Sequence, residues 1–556
     1  MRFAPISAML TVLATAFPFL FPYTAPPSTN FWPLMMAWLC GWGIFAVVGL
    51  RSQCARGKTA APSTAPDVRV ELVPLLAVSL LLAALLASAI GLLQYFDAAA
   101  GWEPWIHASR PGQAMGNLRQ RNQQATLLSM GVWALLWTVA QTQLYVQAQA
   151  EGRAAPGVGM ALHGGGRPWP LWLVGMLTAW ALALLAVGSA ATASRTGLAQ
   201  WLVVIVLLWA WRVSVGRLAL GLALAGLAMY AAAAWLLPDL LLQWTGFRAE
   251  GLFARFGDAP GCTSRRVLWS NVLYLIAQKP WLGWGWGELD FAHYSTLFPG
   301  ERFCVLLDNA HNLPLHLAVE LGLPVAVLAC AAVAAWIWRA RPWRETDPAR
   351  QLAWGILALV GLHSMLEFPL WYGPFQLVTV LAVLVLWRRP VHGGPLQRLL
   401  NLWRKWPLRP YLQVLAAVFL VASMAWMGWS YYRVSQVFKP VEQRIPSLRQ
   451  GTLDKVSGTW LFSDAVDFAR LTTMPVNRET AERVHALATS LLHYSPEPRV
   501  IEPLIESAAL LGRDDEVAYH LQRFRVAYPK DYARWTKLNR ALGGPLPQGS
   551  SPRQGQ

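Results

Sequence analysis

Up to residue 432 the chain alternates long apolar blocks with short polar stretches. Eleven blocks approach the ~20 residues a helix needs to cross a bilayer core. They lie near 3–22, 31–50, 71–93, 123–147, 169–189, 197–213, 217–237, 313–338, 351–370, 373–388 and 410–432. The first follows Met1-Arg2 as a signal-peptide core would. Pro5, Pro18 and Pro22 interrupt it and no small-residue cleavage site follows, so it reads as a retained helix. Two runs are less uniform: 351–370 contains His363 and Glu367, and 373–388 is short.

After 432 the pattern turns polar. Helical periodicity recurs near 478–493, 498–511, 513–527 and 530–541, with Asn477, Pro496, Gly512 and Pro529 at the expected ends. LLGRDDEVAYHLQRFRVAYP reads like one half of a tetratricopeptide unit. The expected fold is an all-α polytopic membrane protein with about eleven transmembrane helices. Residues 1–237 hold helices one to seven, and 238–312 form a large outside loop. Residues 313–432 hold helices eight to eleven, and 433–556 form a helical domain that serves as packing or as a docking surface.

Composition strengthens this picture. Hydrophobic residues make up 55% and charged residues 13%, where a soluble chain carries roughly a quarter charged. Soluble and disordered classes are excluded. The net charge of +17 would suit a nucleic-acid binder, but its placement argues otherwise. With the N-terminus inside, the inside segments 51–70, 148–168, 212–217, 339–350 and 388–409 hold eighteen Lys/Arg against four acids. The loop 238–312 holds six against seven, and the tail seventeen against thirteen. This is the positive-inside asymmetry. It places the loop and tail outside, in the periplasm of a bacterium if the membrane is the inner one. Cys262 and Cys304 share the outside loop, where a disulfide can persist, and a bridge between them is expected; two free buried thiols are the alternative. Cys40 and Cys330 sit in apolar runs and Cys54 in an inside loop.

Charges on the outside face are not needed for topology, so they invite a chemical reason. Arg195 lies in GSAATASRTG, a small-residue break between two apolar helices where backbone can approach a ligand. Ser264 can cap a helix with Arg265 in its first turn and Trp269 one turn on. A cation there, beside a positive helix end, suits an anion. Arg266 faces elsewhere. His311 lies where the outside loop re-enters the membrane, with Asn312 before a helix start and Glu320 further along. An imidazole there can act as a general base. His363 and Glu367 form an i, i+4 pair that orients a substrate or satisfies itself. No P-loop, G-x-G-x-x-G opening a helix, or H-E-x-x-H appears. Glu288 and Asp290 alone make a weak cation site, so no metal is expected. Arginines beside a histidine suit a pyrophosphate leaving group and a hydroxyl nucleophile.

Three segments carry a family resemblance. GNLRQRNQQATLLSMGVWALL (116–136) resembles a G-N-x-x-Q-x-N-Q signature before an apolar helix, with Arg121 where Pro is common. SRRVLW (264–269) and AHNLPLHLAVELGLP (310–324) resemble a ligase core. The chain thus resembles bacterial O-oligosaccharyltransferases of the O-antigen ligase and polymerase superfamily, most nearly the pilin-type protein O-glycosylation ligases. The tail resembles their C-terminal region. The resemblance implies a GT-C-like fold with a periplasmic active site in the bacterial inner membrane. The donor would be an undecaprenyl-pyrophosphate-linked glycan and the acceptor a protein such as pilin, without cofactor, metal or nucleic acid. It makes His311 the base or its close partner and puts Arg195 and Arg265 on the pyrophosphate. Asn117, Gln120, Asn122 and Gln123 fall near the site, and Arg119 joins them as an outward cation. Transfer to lipid A core or glycan polymerisation is the rival enzyme reading. A transporter is the rival class, disfavoured because no internal repeat is visible and polar residues gather at one face.

Overall fold

The computed structural model describes residues 5–58, 68–152, 170–249, 251–252, 261–387 and 409–541. Among these residues the regular elements are helices. The first seven are α1 (Pro5–Leu20), α2 (Phe31–Lys58), α3 (Val68–Tyr95), α4 (Arg121–Ala150), α5 (Leu171–Ala191), α6 (Arg195–Ala210) and α7 (Arg217–Thr245). The loop contributes α8 (Arg265–Gln278) and α9 (Leu289–Ser295). Then come α10 (Leu313–Leu321), α11 (Leu323–Ala340), α12 (Pro348–Ser364), α13 (Gly373–Leu386) and α14 (Arg409–Ser435). The tail adds α15 (Thr452–Val456), α16 (Ser463–Leu471), α17 (Ala481–Leu491), α18 (Pro498–Leu510), α19 (Asp514–Ala527) and α20 (Pro529–Ala541).

Six described stretches are long and apolar enough to cross a membrane: Leu72–Tyr95, Arg121–Ala150, Trp172–Ala191, Arg217–Thr245, Leu323–Arg344 and Leu415–Phe438. Ile6–Leu20, Phe31–Val47, Arg195–Ala210 and Gly373–Leu386 are apolar but shorter. Several boundaries differ from the hydropathy reading. α2 continues to Lys58, so Cys54 lies in a helix rather than a loop. α7 runs past Pro238 to Thr245. The run 313–338 is two helices, because Gly322 adopts φ +86°. A Cβ on Gly322 would overlap the Trp281 carbonyl, so glycine is required there. α10 is therefore a separate short helix outside the span that α11 forms. α12 ends at Ser364, leaving Glu367 in the following turn. Most of the inside segments 148–168 and 388–409 falls outside the described residues.

The chain forms two compact units: Met1–Asp258 with Val333–Trp403, and Ala259–Ala332 with Arg404–Gln556. In the first unit α4 is the central helix, packed by α3, α5, α6, α7 and α12. Its apolar window is 83% buried although α4 is among the least apolar of the six long stretches. A helix rich in Gln, Thr and Ser is costly against lipid and favourable where protein supplies partners. Trp133 and Trp137 of α4 donate through Nε1 to the Leu352 carbonyl at 3.1 Å and the Pro348 carbonyl at 2.8 Å, bracing the start of α12. Gly355 of α12 admits the Trp133 indole, which a Cβ would displace.

In the second unit, loop and tail share one core. Tyr294 of α9 is buried with Phe468, Leu491, Ile505 and Phe524. Its hydroxyl lies 3.0 Å from His520 Nδ1. Arg523 Nε donates to the Ser295 carbonyl at 2.7 Å, and Glu288 meets His493 at 2.7 Å. The tail helices begin and end close to the periodicity read from the sequence, with Asn477 accepting from Glu479 and Thr480 before α17.

Candidate functional site

The candidate residues fall into two groups, one in each unit. In the first unit they gather at the start of α4. The segment leading into it is folded by Gln94, whose Oε1 accepts from Met115 N at 3.1 Å and Gly116 N at 2.7 Å. Asn117 is spent on this scaffold. It donates to the carbonyls of Leu20 (2.7 Å) and Trp105 (2.9 Å) and accepts from His107 N at 3.0 Å. Its buried amide holds the shape of this segment. Gln120 is the N-cap of α4, its Oε1 accepting from Gln123 N at 2.7 Å. Gln123 is buried, and its Oε1 has no hydrogen-bond partner.

Arg119 is half-buried in a left-handed turn (φ +60°), and its NH1 is buried without a hydrogen bond. Burial holds its guanidinium below the usual arginine range, with Tyr372 acting in the opposite direction. A buried guanidinium nitrogen without a hydrogen bond suits contact with an anion.

The next turn of α4 organises the other candidates. Asn122 Nδ2 donates to Glu367 Oε1 at 2.9 Å, and its Oδ1 accepts from Ser194 Oγ at 2.7 Å. Ser194 is the N-cap of α6 and accepts from Gly197 N at 3.1 Å. Arg195, the first residue of α6, is exposed. One turn further along α4, the Thr126 hydroxyl lies 2.9 Å from His363 Nδ1 and accepts from Gln200 Nε2 at 2.9 Å. His363 and Glu367 are thus each reached from α4, one turn apart. Sequence reading missed Thr126, Ser194 and Gln200. Polar side chains inside apolar runs were the available signal.

In the second unit, α8 holds the segment that carries His311. Ser264 caps α8, accepting from Val267 N at 3.4 Å, with Arg265 half-buried and Arg266 exposed. Cys262 is disulfide-bonded to Cys304 just before this helix. Asn271 donates to the Glu301 carbonyl at 2.8 Å and accepts from Phe303 N at 2.8 Å. Trp269, one turn after Arg265, donates through Nε1 to the Ala310 carbonyl at 3.1 Å. His311 follows immediately in a left-handed conformation (φ +50°), its N–H held by Asn309 Oδ1 at 2.9 Å. Asn312 caps α10, accepting from Leu315 N at 3.1 Å.

Behind His311, the buried side chains of His316 and Glu320 lie 3.4 Å apart on one face of α10. Burial pushes Glu320 up to about 7, with Glu288 adding to the effect. Burial and the His311 imidazole bring His316 down to about 4. His316 is therefore neutral near pH 7, and its contact with Glu320 is not an ion pair. A glycine-rich loop seals this end: Trp284 N and Gly285 N donate to the carbonyls of Val319 (2.9 Å) and Glu320 (3.0 Å). Glu288 and Asp290 have separate duties. Glu288 binds His493, while buried Asp290 accepts from Phe291 N at 2.7 Å and is pushed up to about 7, chiefly by burial.

Fold and residues describe a polytopic helical membrane protein with cationic and imidazole groups at helix starts and loop re-entries. Comparison with known families makes the class specific. Residues 114–139 match a family described as protein glycosylation ligase, and 180–330 match O-antigen ligase. Residues 351–542 match the C-terminal region of virulence factor membrane-bound polymerases. Each match covers less than half of the chain; together they make it similar to proteins of the O-antigen ligase superfamily. All the candidate residues above except Gln94 fall within the matched segments. A general O-oligosaccharyltransferase from Acinetobacter baylyi (strain ATCC 33305 / BD413 / ADP1) is 32% identical over 114 residues, 20% of this chain and 20% of that protein. The chain thus aligns with about a fifth of the length of this curated relative. No solved structure matches.

Proposed function

We propose that this protein transfers a preassembled oligosaccharide from undecaprenyl pyrophosphate to Ser or Thr hydroxyls of periplasmic proteins such as pilin. The observation that carries this reading is the tether between Arg265's helix and the His311 turn, within a segment similar to O-antigen ligases. In this scheme the apolar runs cross the inner membrane eleven times, with α11 alone as the eighth span, the N-terminus is cytoplasmic, and the tail offers an acceptor-docking surface.

The reaction is a single displacement. His311 takes the proton of the acceptor hydroxyl, and the hydroxyl oxygen attacks the anomeric carbon. The bond from that carbon to the pyrophosphate oxygen breaks, and the electron pair leaves with the lipid pyrophosphate. Arg265 offsets the charge that grows there. Arg195 is a further anion-binding candidate, in the first unit. The anomeric configuration inverts, and no metal takes part.

The test is expression in a bacterium that makes one defined lipid-linked glycan, with and without a candidate pilin. A glycan-sized mass gain on the pilin supports the reading. His311→Asn is the informative variant, because Asn tolerates the left-handed backbone and lacks the base. His311→Asn and Arg265→Ala should both abolish the mass gain while the chain stays in the membrane; full activity in both overturns the assignment. Glycan on lipopolysaccharide alone supports the rival ligase.

A further inference from the structure

At the end of α12 remote from His363 lies a cleft that none of the candidate site residues lines. Arg350 and His363 occupy opposite ends of this helix, about 20 Å apart at 1.5 Å per residue. The cleft has a volume of about 530 Å³ and is lined by Trp336, Arg339, Arg350, Val383, Leu386 and Trp387, all in the first unit. Its walls are mainly apolar, with two cations set among them.

Those cations differ in how they are held. Arg350 Nε meets Glu345 Oε2 at 2.6 Å, and its NH1 donates to the Leu386 carbonyl at 3.0 Å. This fixes the guanidinium across the ends of α12 and α13. Arg339 is exposed and makes no ion pair with any described residue. Trp336 packs on Trp354 with ring centroids 4.7 Å apart, and Trp387 is 58% exposed. α11 ends at Ala340, α12 starts at Pro348 and α13 ends at Leu386. Apolar helix gives way to polar connection at all three points. That is the depth of lipid headgroups, where tryptophan rings and arginines are favoured.

We propose that this cleft binds an anionic phospholipid. The headgroup phosphate lies between Arg339 and Arg350, and an acyl chain lies along Trp336, Val383 and Leu386. In the proposed orientation the lipid belongs to the cytoplasmic leaflet, whose anionic lipids favour basic pockets between helices. Inorganic phosphate shares the charge but has nothing to lay against the apolar wall, so the lipid is the better match.

The test uses the full-length protein purified in mild detergent. Native mass spectrometry reads retention of phosphatidylglycerol against phosphatidylethanolamine, and a melting assay adds inorganic phosphate as a third arm. Wild type should retain phosphatidylglycerol several-fold better than phosphatidylethanolamine. Arg339→Glu should abolish that preference while leaving glycan transfer unchanged, and Trp387→Ala should weaken retention. Equal retention of both lipids, an unchanged preference in Arg339→Glu, or equal thermal protection by inorganic phosphate would overturn the proposal.

Discussion

The indole of Trp269 and the carbonyl of Ala310 share a 3.1 Å hydrogen bond that fastens the His311 turn to Arg265's helix. Ala310 is fully buried, so no solvent replaces the lost donor. Trp269→Phe keeps the ring and removes the N–H, at a local cost of about 1–3 kcal/mol. Glycan transfer at matched membrane levels should fall by about ten- to a hundredfold, the scale of small misplacements of reacting groups. An unchanged transfer rate would show that the tether does not position the site.

Ser194 caps α6 directly before Arg195 and binds Asn122. Ser194→Ala removes the cap, worth about 1 kcal/mol, and deprives Asn122 Oδ1 of its donor. Transfer should drop with little change in protein level, and Ser194→Thr should restore most of it. The comparison is a rate measurement on the three proteins side by side. Equal rates in all three would separate the cap from Arg195's role.

Glu320 gives a pH signature. Its carboxyl is pushed up to about 7 in the folded protein, mainly by burial, against an ordinary value near 4.3. The folded state therefore holds the proton more tightly than the unfolded state. The stabilisation this provides is complete below the ordinary value and disappears as pH rises through about 7. Glu320→Gln should lessen the fall of the apparent melting temperature between about pH 4.5 and 7.5, with Asp290 supplying part of what remains. A wild-type-shaped curve in the variant would locate the dependence elsewhere.

Gly322 separates α10 from α11 in a conformation that other residues reach only with strain. Gly322→Ala should cost about 2–5 kcal/mol, combining backbone strain with the clash against Trp281. The chain should melt several degrees lower and accumulate poorly in membranes. A wild-type melting temperature would mean that the 280–288 loop yields easily.

Much of the fold is legible in the sequence because lipid imposes a simple rule: apolar runs become helices. In the tail α17 to α20 are legible from their periodicity, with Gly512 and Pro529 beside the ends of α18 and α19, while the short helices α15 and α16 are not. The failures have local causes. Hydropathy cannot see that Gly322 breaks a run whose residues are all apolar enough to continue. It treats 51–58 as loop because charges lower the average, although α2 continues there. Charges without a topological reason single out Arg119, Arg195 and Arg265, while Asn117, Gln120, Asn122 and Gln123 enter through the resemblance. That filter passes Arg119 and Arg265 but not Ser194, Thr126 or Gln200, which are uncharged. It also could not tell Asn117, whose amide is consumed by the scaffold, from Gln123, whose oxygen is not.

Tyr294 ties the fate of the tail to that of the loop. It sits among Phe468, Leu491, Ile505 and Phe524, so deleting the tail would strip the loop of its hydrophobic backing. A truncated enzyme that fails would therefore say nothing about acceptor choice. A chimera that borrows another tail must bring residues 289–295 with it. Residues 289–295 and the tail are thus one inherited cassette.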